Sequence, residues 1–106
     1  MGDQEWNDAL KQASQWASSE ELRQLFVTVV MFCEVADTIA FWENNWRIMV
    51  EDIEYRLKQA FGSFGYSMPK NDLKNYVLLE LEKLFNNNAS FLSQHKIPTP
   101  TQGTLG

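Results

Sequence analysis

Cys33 and His95 are the only thiol and the only imidazole in the chain, so any thiolate nucleophile has to be Cys33 and any imidazole base His95. A catalytic cysteine needs a base and an electropositive setting to hold it as thiolate. The neighbours of Cys33 in the run VTVVMFC and just beyond it are Met31, Phe32 and Glu34, and His95 falls in a segment that reads as tail. The expectation is therefore a buried structural cysteine, among the residue types most often found inside proteins. With no second cysteine there is no internal disulfide, which favours a reducing intracellular setting.

Glu51, Asp52 and Glu54 are close enough in sequence to suggest paired acids or a divalent-cation site. Hard cations require several oxygens converging on one point, and successive residues of a helix point these carboxylates apart with no loop to gather them. A solvated helix face is the expected role, and the same holds for Glu80 and Glu82. No metal, cofactor or catalytic residue is expected, and the chain reads as no enzyme. Trp42 and Trp46 lie four residues apart and could form a stacking platform for bases, but the stretch lacks the run of interleaved Arg and Lys that would supply the electrostatic half of such a platform. Both are assigned to the core. Trp6 and Trp16, near helix ends, are candidates for partner contacts. Phe64 and Tyr66, in a turn, are either a lid on the fold or contacts for a partner.

The elements that must position these residues are helical. Trp6, Ala9, Leu10 and Ala13 recur at helical spacing behind an acidic start at Asp3, Glu5 and Asp8. Ser18 and Glu21 form an S-x-x-E capping box that opens a second helix carrying Leu22, Leu25, Phe26, Val29, Val30, Phe32 and Cys33, apolar nearly all round and so central in the bundle. The β-branched cluster from Val27 to Val30 would also suit a buried strand, but the box and the Leu22/Leu25/Phe26 pattern run straight into it and favour helix. Asp37 or Thr38 caps a third helix, expected to run unbroken through Trp42, Trp46, Met49, Val50, Ile53 and Leu57 to a C-terminal cap at Gly62. Its outer face pairs Glu43 with Arg47 and Glu54 with Lys58 at i, i+4. The segment GSFGYSMP is turn chemistry. Asn71 or Asp72 then caps a fourth helix with Leu73, Tyr76, Val77, Leu81, Leu84 and Phe85, ending in three asparagines. The expected architecture is all-α: a compact four-helix bundle over residues 3–88, with 89–106 an extended, flexible tail on which Phe91, Leu92 and Ile97 remain able to dock. The core list is Leu25, Phe26, Val29, Trp42, Trp46, Ile53, Leu57, Leu81 and Leu84.

Composition bounds the remaining possibilities. A chain of 106 residues with 44% apolar and 13% aromatic content can build one core without staples. No run approaches the length of a membrane span, and no signal-peptide pattern stands at the start. Nine basic residues scattered among fourteen acids leave a net charge of −5, the wrong balance for independent phosphate binding.

The order of motifs is itself informative. The stretches QEWNDALKQASQWASSEELRQLF, then VTVVMFCEVADTIAFWENNWRIMVEDIEYRL, then NDLKNYVLLELEKLFNNN resemble one segment of plant Helitron transposon proteins, over roughly residues 3 to 100. Those proteins join a rolling-circle replication initiator to a Pif-type DNA helicase, and the similar segment lies just before the helicase. The resemblance implies common ancestry without shared catalysis. Initiator chemistry needs a histidine pair with tyrosine nucleophiles, and this chain has one histidine; the five glycines, Gly2, Gly62, Gly65, Gly103 and Gly106, begin no phosphate-cradling G-x-x-x-x-G-K-[ST] loop.

The functional expectation is a non-catalytic helical protein-interaction or oligomerisation module, a host-captured fragment of a Helitron-like protein acting through a protein partner or self-association as a regulatory or toxic protein. Residence would be cytoplasmic or nuclear, with no membrane and no direct nucleic-acid contact. The competing expectation is an accessory DNA-handling element that works only when joined to its helicase.

Overall fold

The computed structural model describes residues 3–33, 35–61 and 69–99. All regular structure among them is helical: α1 (Asp3–Ala13), α2 (Ser19–Phe32), α3 (Thr38–Asn45), α4 (Glu51–Phe61) and α5 (Lys70–Asn87), with short 3-10 helices at Trp46–Met49 and Leu92–His95. The Gly62 cap, Phe64 and Tyr66 lie outside the described residues.

Two of the expected starts are present with their side-chain caps. Ser18 Oγ accepts from the Glu21 N–H, and the Glu21 carboxylate accepts from the Ser18 N–H at 2.9 Å, closing the capping box. The backbone and hydroxyl of Ser18 hold the Glu21 carboxyl below its ordinary value. Asp37 caps α3 by accepting from the Ala40 N–H at 3.0 Å. The start of α5 differs from expectation. Pro69 is its N-cap, with no side-chain hydrogen bond, and neither Asn71 nor Asp72 has that role. Proline needs no N–H partner at a helix start, and its fixed φ suits the entry into the first turn.

The expected third helix is broken, which makes five α-helices where four were expected. It leaves α geometry at Asn45 (φ −125°), tightens into the 3-10 turn Trp46–Met49, and resumes at Glu51 after Val50 (φ −112°). In an unbroken helix the Ile53 N–H would donate to the Met49 carbonyl. Here that carbonyl accepts from Arg23 Nη1 at 2.7 Å, and the Ile53 N–H donates to Asp52 Oδ1 at 2.7 Å. The break thus keeps its buried backbone groups satisfied. It also lets Phe41 and Trp42 face Phe26 on α2 while Met49 and Val50 reach the same interior from the other side of the kink.

The core is aromatic at its centre. Phe26 stacks on Phe41 with ring centroids 4.9 Å apart and meets Trp42 edge-on at 6.4 Å. Around them Leu10, Met49, Val50, Val77, Leu81 and Phe85 are wholly buried. Of the residues assigned to the core from sequence, Phe26, Val29, Trp42, Trp46, Ile53 and Leu81 are buried, whereas Leu25, Leu57 and Leu84 pack partly buried against it. Asn45 is buried with them, its Nδ2 donating to Asn7 Oδ1 and to the Phe41 carbonyl, both at 2.8 Å.

The segment after α5 does not run straight off as a tail. Leu92 and Ile97 are both buried in the core, while Phe91 is exposed. α5 ends in a Schellman motif: the Ser90 N–H donates to the Phe85 carbonyl and the Ala89 N–H to the Asn86 carbonyl, with Ala89 in the left-handed region at φ 57°. That reversal turns the chain back over the end of the helix. Lys96, at φ 60°, turns it again and delivers Ile97 to the core, with the Ile97 N–H donating to the Leu92 carbonyl.

Candidate functional site

The docked C-terminal segment forms one wall of a cleft of about 300 Å³. The other walls are the end of α2, with Val30 and Cys33, and the link to α3, with Val35, Ala36 and Thr38; the C-terminal wall supplies Gln94, His95 and Lys96. Cys33 is the C-cap of α2, in extended conformation, so the chain leaves the helix sideways. The link is tethered to the opposite end of the chain, because the Asp3 carboxylate accepts from the N–H groups of Ala36 and Asp37 at 2.9 and 2.8 Å. The C-terminal wall is fixed by Thr38 Oγ, which donates to the His95 carbonyl at 2.6 Å, and by the His95 ring, which stacks on Phe85 with centroids 5.0 Å apart.

The protonation of His95 follows from its neighbours. The Phe91 N–H donates to Gln94 Oε1 at 3.0 Å, which establishes that atom as the amide oxygen. Ser90 Oγ lies 2.8 Å from the same oxygen, so the serine must spend its one proton there. His95 Nε2, 2.9 Å from Ser90 Oγ, must then carry a proton and donate it. This is the reverse of a serine nucleophile giving its proton to a histidine base, and Ser90 is buried besides.

Sequence reading separated Cys33 from the histidine, and the fold brings both to one cleft. Cys33 is half-buried and not fully enclosed. Its Sγ makes no hydrogen bond to the His95 ring, so the contact that would activate a thiol is not formed among the described residues. The signal that could have placed His95 was the apolar pair flanking it, Leu92 and Ile97.

The acidic cluster dissolves into separate roles. Asp52 receives both terminal nitrogens of the buried Arg23, at 2.9 and 3.0 Å, and its N–H donates to Ser19 Oγ. Burial pushes the Asp52 carboxyl up, but the hydrogen bonds and charge of Arg23, with help from the Ile53 N–H and Arg56, outweigh it and leave the group below its ordinary value. Glu51 is exposed and Glu54 half-buried. Glu80 sits 3.6 Å from Lys83, and Glu82 is half-buried. Among the described residues no three His, Cys, Asp or Glu side chains gather to hold a metal ion.

Trp46 has more basic neighbours than its own stretch supplies, because Lys70 and Lys74 come from α5 to join the adjacent Arg47. Arg47, Lys70 and Lys74 lie 4.7, 5.7 and 5.3 Å from its ring centroid. Only 4% of Trp46 is exposed, so the cations cover the ring and leave no open platform. Lys74 is held by Glu43 from α3, an ion pair across elements in place of the expected Glu43–Arg47 pair along one helix. Trp42 is buried beside Phe26.

Of the residues proposed for partner contacts, Trp16 is 77% exposed. Trp6 is half-buried, and its Nε1 is enclosed without a hydrogen-bond partner. Phe32, expected among the packed positions of the second helix, and Phe91, expected able to dock, are both exposed, and so is Ile39, which sequence reasoning did not single out. Each neighbours a cleft-lining residue in sequence: Phe32 precedes Cys33, Ile39 follows Thr38, and Phe91 stands just before the turn that carries Gln94 and His95. In Phe32 the α2 pattern is apolar nearly all round, so periodicity alone did not mark it as the side turned outward. No helix among the described residues is long and apolar enough to cross a membrane.

Compared with family models, with curated proteins and with solved structures, the chain finds no match in any of the three.

Proposed function

We propose that this chain is a non-catalytic helical interaction module that receives an apolar side chain of a protein partner in the cleft lined by Cys33, Thr38 and His95. The observation that carries the reading is the exposure of three large apolar side chains on the segments that line the cleft. Phe32, Ile39 and Phe91 are exposed on the three segments whose residues form that cleft. Large exposed apolar side chains on the elements that build a concavity are a mark of protein contact surfaces. The cleft is at the lower end of the size range for ligand sites and mixes apolar walls with the polar ends of Gln94 and Lys96, suiting one anchoring side chain with polar contacts around it. The wiring of Ser90 as donor to Gln94 supports the non-catalytic part of the reading. Origin as a captured Helitron-type fragment, and a regulatory or toxic role, rest on the motif order in the sequence.

The test combines capture with surface substitution. Wild-type protein and Phe32→Ser, Ile39→Ser and Phe91→Ser variants are used as bait in cell extract, and a captured protein is then purified and titrated directly. The expected result is a partner whose Kd rises at least tenfold with these substitutions while melting temperatures stay unchanged. Binding that is indifferent to all three, or no partner at all, overturns the reading.

A further inference from the structure

A second concavity lies away from the Cys33 cleft, between α4 and α5. It has a volume of about 280 Å³ and is lined by Ile53, Arg56 and Leu57 from α4 and by Tyr76 and Glu80 from α5. Its floor is apolar, and the two helices contribute opposite charges: a cation from the α4 wall and an anion from the α5 wall. Farther along α4, Lys58, Gln59 and Ala60 are all exposed.

We propose that this groove is the contact surface for a second copy of the same chain, making the protein a symmetric dimer. In a two-fold contact the same patch serves both partners, so whatever one copy presents must complement itself. An apolar strip with a positive wall on one side and a negative wall on the other meets that condition. A two-fold axis running along the groove sets Arg56 opposite the partner's Glu80, and the exchange occurs twice. Both side chains are engaged only loosely within their own copy. Arg56 is 69% exposed, and its contact is a 4.0 Å approach to Asp52, whose oxygens already hold Arg23. Glu80 reaches Lys83 at 3.6 Å, with Lys83 itself 72% exposed. Two chains of net charge −5 repel one another at long range, and local pairing of opposite charges offsets that repulsion at the contact. Leu57 and Tyr76, both half-buried, then supply the apolar contact that the ion pairs orient, over a floor closed by the buried Ile53.

Sedimentation velocity over a micromolar-to-millimolar concentration series tests this with the whole chain, at low and at moderate salt. The variants are Arg56→Glu, Glu80→Arg and the double exchange, each checked by its melting curve. Wild type is expected to show a concentration-dependent dimer that weakens with salt. Each single reversal places like charges face to face twice and should raise Kd at least tenfold, while the double exchange restores it to within about threefold of wild type, since opposite charges again meet. Arg56→Glu also removes the contact with Asp52, so Glu80→Arg is the cleaner single arm. A wild-type monomer throughout the series overturns the proposal, as does a dimer that ignores the single reversals or one that the double exchange fails to restore. The surface is separate from the Cys33 cleft, so Phe32→Ser should leave dimerisation unchanged, and a monomeric result leaves the partner-binding reading standing.

Discussion

Arg23 on α2 and Asp52 at the start of α4 close the gap that the break in the expected third helix opens. The guanidinium donates to both carboxylate oxygens and, through Nη1, to the Met49 carbonyl that the break has released. Arg23 is 5% exposed, so its charge depends on this arrangement in place of water. Removing one member of a buried ion pair costs about 3–5 kcal/mol, because the other is left buried and unpaired. The Asp52 side chain is 34% exposed, and solvent relieves part of that cost. Asp52→Ala is therefore expected to lower unfolding free energy by about 2 kcal/mol in a urea titration. A loss within experimental scatter of zero would mean the pair is not what supports the kink.

Acid should weaken the protein through the same carboxylate. The Asp52 group sits below its ordinary value of 3.8 when folded, so between the two values the unfolded chain binds the proton more readily. The stabilisation is complete above the unfolded value and is lost as pH falls through 3.8 toward the lower folded value. Melting temperatures followed from pH 6 down to about pH 2 should fall across this window, and Asp52→Asn should flatten that part of the profile. A parallel profile in the variant would assign the acid sensitivity elsewhere.

Two tryptophans separate the core from the surface. Trp46 is buried under Arg47, Lys70 and Lys74, and Trp46→Ala should cost about 3–5 kcal/mol, a large share of the stability of a small domain. Trp16 is 77% exposed, and Trp16→Ala should change stability by no more than about 0.5 kcal/mol. Denaturant melts of the two variants give the comparison. Similar losses in both would contradict the assignment.

Ala89 occupies the position of the α5 Schellman motif where glycine is the usual residue, at φ 57°. A Cβ disfavours that backbone, and the penalty exceeds the extra chain freedom that glycine has when unfolded. Ala89→Gly is expected to stabilise the protein by about 0.5–1 kcal/mol, seen as a higher denaturant midpoint at constant slope. Destabilisation would argue that the chain does not turn back at this residue.

The proton accounting at Ser90 requires His95 to carry its hydrogen on Nε2 whenever the ring is neutral. Long-range proton–nitrogen NMR of the ring, at a pH where it is uncharged, should find Nδ1 bare. In Ser90→Ala the preference for that tautomer should diminish. A neutral ring protonated at Nδ1 in the wild type would reject the network.

What was legible beforehand was local. The Ser18/Glu21 box, the Asp37 cap and the spacing of Leu22, Phe26 and Val29 act within a turn or two of helix, so residue types a few positions apart specify them. The acidic start at Asp3 was legible too. Its capture of Ala36 and Asp37 was not, because the partners lie more than thirty residues away.

The candidate site was the least legible part. A cysteine near the middle of the chain and a histidine near its end meet only because two left-handed residues, Ala89 and Lys96, fold the C-terminal segment back. Neither is glycine, so the usual mark of such a turn is missing from the sequence.

By itself, then, the sequence determined an all-helical chain with an aromatic interior, since apolar periodicity and caps are short-range preferences of the backbone and its neighbours. Only the tertiary structure decided that the helix through Trp42 and Ile53 breaks. Its helical spacing is intact across Trp46–Met49, and nothing local forbids an unbroken helix. The break is held because Arg23, from another helix, supplies the donor for the Met49 carbonyl and Asp52 the acceptor for the Ile53 N–H.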